Sequence, residues 1–133
     1  MKLLLLFVFA AAATTVYCDL KDVDKTLAKI DFEAVRASGR LLENMFNCLI
    51  DGVRCTPDAK ELRKFLPEIL ETCCAECTEK LYGETKRMVD FLHKYKPEYG
   101  KRALDKFDPD GTLVGKCDAA FQAKGINLSG FRM

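Results

Sequence analysis

The sequence predicts an all-α domain of about six short helices. Apolar residues recur with a helical period almost throughout the chain after residue 24, and no segment alternates apolar and polar residues for long, as a half-buried strand would. Prolines and capping residues stand where such helices would begin, so the links between them are tight. With 133 residues, 49% hydrophobic and 31% charged, the composition is that of a single folded domain.

The first two predicted helices meet at Ser38 and Gly39. The segment "IDFEAVRAS" predicts a short helix with Phe32 and Val35 turned inward. Ser38 is a plausible N-cap for the next helix, since its side chain can accept a hydrogen bond from a free backbone N–H. In that helix, "LLENMFNCLID", one face carries Leu41, Leu42, Met45, Phe46 and Leu49.

The third predicted helix begins at Thr56 and Pro57, a capping residue followed by a proline that suits the first helical position. Pro67 lies inside the same pattern and is expected to kink or split the helix, because it lacks an N–H donor. The apolar stripe consists of Leu62, Phe65, Leu66, Ile69, Leu70 and Cys73.

Three more helices follow. The fourth includes "CAECTEKLYGETKRMVDFLHKY", with Cys74 and Cys77 on its first turn, and the fifth restarts near Pro97 and stops at the turn "DPDG". The sixth ends at Gly125. In the fourth, the neighbours Glu79–Lys80, Glu84–Lys86 and Asp90–Lys94 are typical of solvated helix faces.

The N-terminus has the pattern of a signal peptide. Lys2 precedes an apolar run from Leu3 to Ala13, which is too short to span a bilayer and suits a signal-peptide core. Cleavage needs small residues at positions −3 and −1. Cleavage after Cys18 places Val16 and Cys18 there, cleavage after Thr15 places Ala13 and Thr15 there, and we prefer the first. We therefore expect a signal peptide at residues 1–18, a single domain at 19–133, secretion and no membrane span.

Charge and motif content argue against several classes of function. The 21 basic and 20 acidic residues are interspersed, so no basic surface predicts a nucleic-acid partner. The single histidine, His93, lies in a charged helix and is expected to be solvated or half-buried rather than a catalytic base. "DPDG" lacks the further ligands of a calcium loop. We predict no enzyme activity, no metal and no cofactor.

The spacing of the cysteines allows three interpretations. Cys48 and Cys55 flank a turn, and Cys74 and Cys77 stand three residues apart, so both pairs can approach disulfide distance. Four thiolates could instead hold zinc, but only the second pair has zinc-knuckle spacing. A C-x-x-C redox site would need a strand before its helix, which is not predicted. An oxidising compartment favours disulfides.

The pattern C-x6-C-x18-C-x2-C, together with its surroundings, resembles the insect chemosensory protein family, also called olfactory-segment-D-like proteins. "GRLL", "NCLID", "CTPDAKELR", "LPEIL", "CTEK", "FLHKYKPE" and "KFDPDG" stand where the family has them, over about residues 22 to 111. The resemblance implies a six-helix fold around an apolar channel, with disulfides Cys48–Cys55 and Cys74–Cys77. It also implies a secreted, monomeric carrier of long-chain fatty acids, alcohols or esters.

The chain departs from the family at channel positions. Met45 replaces a tyrosine, Leu81 replaces a glutamine, and Gly100, beside Tyr99, replaces a tryptophan. Our hypothesis from these changes is a more apolar and roomier channel. Met45 and Met88 would be adaptable parts of its wall. The predicted channel residues are Met45, Phe46, Leu49, Phe65, Leu66, Ile69, Leu81, Tyr82, Met88, Val89, Leu92, Tyr99 and Leu104.

Two questions stay open at this point. Cys73 and Cys117 lie outside the family set, and they either form a third disulfide or remain buried thiols.

A second function is also possible, that of a secreted developmental protein acting on a protein partner. Such a protein would need an exposed apolar patch. The segment "GINLSGFRM" either supplies that patch through Ile126, Leu128 and Phe131 or folds over the mouth of a channel.

Overall fold

The computed structural model describes residues 20–132 and contains seven α-helices over that range. The predicted signal peptide, residues 1–18, lies outside it. The described range contains no strand, which confirms the all-α prediction, and no helix long and apolar enough to cross a bilayer. The helices are α1 (Val23–Ala28), α2 (Phe32–Ala37), α3 (Gly39–Asp51), α4 (Pro57–Glu71), α5 (Glu79–Tyr95), α6 (Pro97–Phe107) and α7 (Thr112–Gln122), with 3-10 turns at Leu20–Asp22 and Ser129–Arg132.

Side-chain caps fix where four helices begin. The side chains of Asp31, Ser38, Thr56 and Thr78 each accept a hydrogen bond from the backbone N–H three residues ahead, at the starts of α2, α3, α4 and α5. Each bond satisfies a donor that the first turn of a helix leaves without a partner. The caps predicted at Ser38 and Thr56 are confirmed.

Four details differ from the sequence-based expectation. Helix α4 continues through Pro67 as one element to Glu71, so the proline does not split it. Cys74 and Cys77 lie in the turn after α4, and α5 begins only at Glu79 because Thr78 caps it. The last helix ends at Gln122, before the predicted Gly125. The seventh helix, α1, was not among the six predicted.

Within residues 20–132, three disulfides hold the helix junctions. Cys48–Cys55 closes the turn between α3 and α4, and Cys74–Cys77 closes the turn before α5, with Cα atoms 4.9 and 5.0 Å apart. Cys73–Cys117 joins the end of α4 to α7 across 44 residues of sequence, and its Cα atoms are 5.1 Å apart. The open question on Cys73 and Cys117 is therefore resolved in favour of a bridge.

The core consists of two clusters. The larger is built around Leu42, Cys48, Cys117 and Ile126, all of them almost completely buried. The smaller lies where α1 packs on α4 and α5; its buried members are Leu20, Val23, Leu27, Leu62, Phe65 and Leu81. Helix α1 thus adds a separate small core to one side of the bundle.

Residues 126–132, called the C-terminal tail below, fold back on the bundle. Ile126 is fully buried, and the ring of Phe131 stacks on His93 with 3.8 Å between ring centroids. The backbone oxygen of Asn127 lies 2.6 Å from His93 Nε2. Arg132 pairs with the buried carboxylate of Asp108 at 3.2 Å. The tail is therefore packed over the helices and does not form the exposed apolar patch that was the other predicted alternative.

Candidate functional site

A cavity of about 260 Å³ lies between the helices, and all seven of them contribute to its wall. This volume is slightly below the ~300–1,000 Å³ that small-molecule pockets usually occupy. The wall consists of Leu27, Phe32, Met45, Phe46, Leu49, Ile50, Leu62, Leu66, Ile69, Leu70, Leu81, Glu84, Thr85, Met88, Val89, Leu92, Gly100, Ala103, Leu104, Phe107, Leu113, Phe121, Leu128 and Phe131. Glu84 and Thr85 are the two polar side chains in that set.

Helical periodicity explains how the sequence builds this wall. On α5, Leu81, Thr85, Met88 and Leu92 recur every three or four residues, so one face of the helix is turned to the cavity. Ten of the thirteen predicted channel residues line it: Met45, Phe46, Leu49, Leu66, Ile69, Leu81, Met88, Val89, Leu92 and Leu104.

The other three predicted residues lie elsewhere. Phe65 is buried in the small core under α1, because it projects from α4 toward Val23 and Leu27. The Tyr82 hydroxyl donates to the backbone oxygen of Cys74 at 2.5 Å, which fixes this ring at the turn before α5. Tyr99 contacts the outer side of the wall through Phe46.

The ring of Tyr99 packs against Phe46 with 5.1 Å between centroids. Burial, and then the nearby carboxylates of Glu43 and Glu98, raise the pKa of Tyr99 above its ordinary value. Its phenol therefore stays neutral at physiological pH, as suits a ring packed on the apolar wall.

The tail contributes two wall residues that periodicity in the helices did not indicate, Leu128 and Phe131. The Phe131 ring fills the space beside Gly100: a Cβ atom built on Gly100 would lie 2.4 Å from it. The roomier channel that we hypothesised stays a prediction, and the structure shows only that Phe131 fills the space beside Gly100.

One side of the cavity is polar. Glu84 and Phe32 line both the cavity and an adjoining recess of about 320 Å³, which we call the polar recess. Its other members are Ile30, Asp31, Glu33, Arg36 and Arg87. Glu84, which the sequence placed on a solvated face, is turned inward, and its Oε1 accepts from Arg87 Nη2 at 2.7 Å. Residues 20–132 contain no cluster of three or more metal-ligating side chains.

Comparisons with known proteins agree on one family. The sequence profile of the insect pheromone-binding family, A10/OS-D, matches residues 24–114. Ejaculatory bulb-specific protein 3 of Drosophila melanogaster is 37% identical over 99 residues, or 74% of this chain and 79% of that protein. Allergen Tha p 1 of Thaumetopoea pityocampa is 39% identical over 115 residues, or 83% of this chain and 86% of that protein.

A solved structure shares the fold. Antennal chemosensory protein A6 from the moth Mamestra brassicae matches with a TM-score of 0.56 and 31% sequence identity. The match covers 73% of this chain and 95% of that one.

Proposed function

The chain belongs to the insect pheromone-binding family A10/OS-D, and from this premise we propose that it is a secreted carrier of long-chain hydrophobic small molecules. Fatty acids, alcohols and esters are the expected ligand classes, bound one per monomer. The observation that carries the proposal is the apolar cavity, to which every helix contributes.

The driving force would be burial of the alkyl chain. Moving apolar surface from water into an apolar site contributes roughly 25 cal/mol per Å². Met45 and Met88 stand in the wall, and their unbranched side chains let the cavity adapt to chains of different length. The site therefore suits a flexible alkyl chain better than a rigid polar molecule.

Secretion is supported by the chemistry of the cysteines. All six cysteines of the described range are paired in disulfides, which persist in oxidising compartments and are rare in the cytosol. The signal-peptide pattern of residues 1–18 supports the same location.

The alternative of a protein-binding patch on the tail has less support. Ile126 is fully buried and Phe131 is 7% exposed, so both of these apolar side chains of the tail face the bundle. Leu128 contributes to the cavity wall. A docking surface on this segment would need the tail to leave the cavity first.

Displacement of an apolar fluorophore tests the proposal. The oxidised chain is titrated with the dye, which is then displaced by saturated acids and alcohols of increasing length. Micromolar displacement with an optimum at one length supports a bounded cavity. No dye uptake, or uptake that no alkyl chain reverses, overturns the carrier function.

A tryptophan reporter locates the binding site. The chain has no tryptophan, so Phe107→Trp would place a single indole in the cavity wall, and Tyr95→Trp would place one on the exposed part of α5. We expect ligand to shift the emission of the first variant and not that of the second. Equal shifts in both would mean that the ligand binds outside the cavity.

A further inference from the structure

The cavity wall contains two thioethers, Met45 of α3 and Met88 of α5. The chain has four methionines, and these are the two that lie within residues 20–132. In that part of the chain the wall has no cysteine, histidine or tyrosine, and its polar side chains are Glu84 and Thr85. The thioether is therefore the one kind of group in this wall that a peroxide oxidises readily.

The two methionines differ in their neighbours along the helix. Residues three and four positions apart are neighbours on a helix surface. At these distances before Met88 stand Thr85 and Glu84, the polar side chains of the wall. The residues at these distances from Met45 are all apolar: Leu41, Leu42, Cys48 and Leu49. We therefore expect the polar end of a bound ligand beside Met88.

Burial limits which oxidants reach these side chains. Met45 is 9% exposed, and Met88 is partly buried against the larger core cluster. An oxidant dissolved in water meets little of either side chain. One with an alkyl chain is concentrated in the cavity, because each buried methylene raises the affinity by about fourfold. A long-chain alkyl hydroperoxide combines such a chain with an oxidising polar end.

We propose that the cavity binds long-chain alkyl hydroperoxides, R–O–OH, and that Met88 reduces them. The Met88 sulfur attacks the terminal oxygen, so an S–O bond forms as the O–O bond breaks. The electron pair of the O–O bond goes to the oxygen that carries the alkyl chain, and this oxygen takes the proton of the terminal oxygen. The products are Met88 sulfoxide and the alcohol R–OH, and the peroxide gains the two electrons that the sulfur loses.

The inference rests on the proposed carrier function and adds a reactive ligand class to it. Each chain reacts once at Met88, so the reaction is stoichiometric and yields one alcohol for each sulfoxide. The sulfoxide places a polar group in an otherwise largely apolar wall.

Three peroxides test the proposal on the full chain with its disulfides intact: decyl hydroperoxide, tert-butyl hydroperoxide and hydrogen peroxide. N-acetylmethionine amide in the same solution is the reference thioether. Peptide mass mapping gives the rate at which each methionine gains an oxygen, and chromatography gives the decan-1-ol formed. Relative to the reference, we expect decyl hydroperoxide to oxidise Met88 at least about tenfold faster than the other two peroxides do. It should also oxidise Met88 before Met45.

Competition and variants locate the reaction. Excess decan-1-ol has the same chain without the oxidant, so it should slow oxidation of Met88 at least about fivefold and leave the reference unchanged. Met88→Leu changes the side-chain volume little and should lose about nine-tenths of the fast formation of decan-1-ol. Displacement of the apolar fluorophore by decan-1-ol shows that this variant keeps its cavity. Asp90→Ala, at a surface ion pair of the same helix, should react like the wild type.

Four results would overturn the reduction of hydroperoxides by Met88. They are equal relative rates for all three peroxides, no protection by decan-1-ol, oxidation of Met45 before Met88, and fast formation of decan-1-ol by Met88→Leu. The first three use the wild-type chain and decide the matter even if the variant fails to fold. If decan-1-ol does not displace the fluorophore from the wild type, the carrier function itself is overturned. Displacement without oxidation of Met88 overturns only the reduction.

Discussion

At the scale of single residues, Gly100 and Phe131 form a closely fitting contact in the cavity wall. Gly100 lies within α6, where alanine is ordinarily preferred over glycine by about 1 kcal/mol. A Cβ atom there would lie 2.4 Å from the Phe131 ring, far closer than van der Waals contact allows. The absence of a side chain at residue 100 thus makes room for the tail.

A double-mutant cycle at this contact should show a reversal of sign. Gly100→Ala alone should lower the free energy of unfolding by about 1–3 kcal/mol, since the ring must move. In a Phe131→Ala background the same change should be stabilising by up to about 1 kcal/mol, because only helix propensity remains. Urea denaturation of the four chains measures both values.

Gly115→Ala is the matched control for this cycle. Gly115 lies in α7 with nothing within 4 Å of a Cβ atom, so alanine should stabilise it with or without Phe131. If Gly100→Ala is destabilising in both backgrounds, the Phe131 ring is not what excludes a side chain from residue 100.

The buried carboxylate of Asp108 joins two parts of the fold. Its oxygens accept from the backbone N–H groups of Leu113 and Val114 at 2.8 and 2.9 Å, in the first turn of α7. The same side chain pairs with Arg132 of the tail, which also donates to the backbone oxygen of Asp108. One residue thus anchors both the start of α7 and the end of the tail.

We expect Asp108→Ala to lower the free energy of unfolding by about 2–4 kcal/mol, because it leaves two N–H groups without an acceptor and removes the carboxylate that pairs with Arg132. Arg132→Ala should cost less, about 1–2 kcal/mol, since the carboxylate keeps its two backbone donors. Chemical denaturation distinguishes the two variants. Equal losses would mean that the contact with the tail accounts for the whole effect of Asp108.

At the scale of elements, two disulfides constrain the junction after α4. Cys73 and Cys74 both have positive φ, 53° and 63°, a conformation that costs a non-glycine residue roughly 1–2 kcal/mol. Each is held by a disulfide, Cys73 to α7 and Cys74 to Cys77. The two disulfides hold the backbone of Cys73 and Cys74 in this conformation, in the turn between α4 and α5.

Removal of single disulfides should show a strong dependence on loop length. In the chain-entropy model, the paired change Cys73→Ala and Cys117→Ala, which opens a separation of 44 residues, should cost about 4 kcal/mol. The same change at Cys48 and Cys55, seven residues apart, should cost about 2.5 kcal/mol. Thermal unfolding of the two variants gives the order, and a larger loss at Cys48–Cys55 would contradict it.

The sequence predicted the elements better than their contacts. Caps at Ser38 and Thr56 and the stripes of α3, α4 and α5 depend on neighbours within one helix, so local periodicity is enough to find them. The partners of Cys73 and Gly100 are another matter. They come from elements far away in the chain, and no local pattern encodes which faces meet.

At the scale of the whole molecule, the tail completes the cavity. Leu128 and Phe131 supply part of the wall, and a small set of polar contacts holds them there. Asn127 is central to that set: its side-chain oxygen accepts from the backbone of Gly130 at 3.0 Å, and its backbone oxygen contacts His93. These bonds are exposed, so they open at lower cost than the buried contacts that Ile126 and Phe131 make with the bundle.

This arrangement predicts that the tail controls the rate of ligand exchange more than the affinity. Asn127→Ala leaves the apolar side chains of the tail in place. It should therefore change the free energies of the ligand-bound and the ligand-free protein by similar amounts. We expect association and dissociation to accelerate together while the dissociation constant changes by less than about threefold. Stopped-flow displacement of the apolar fluorophore measures both rates, with Gly115→Ala as the surface control. Unchanged rates, or a loss of affinity without faster association, would mean that the ligand enters by another route than the tail.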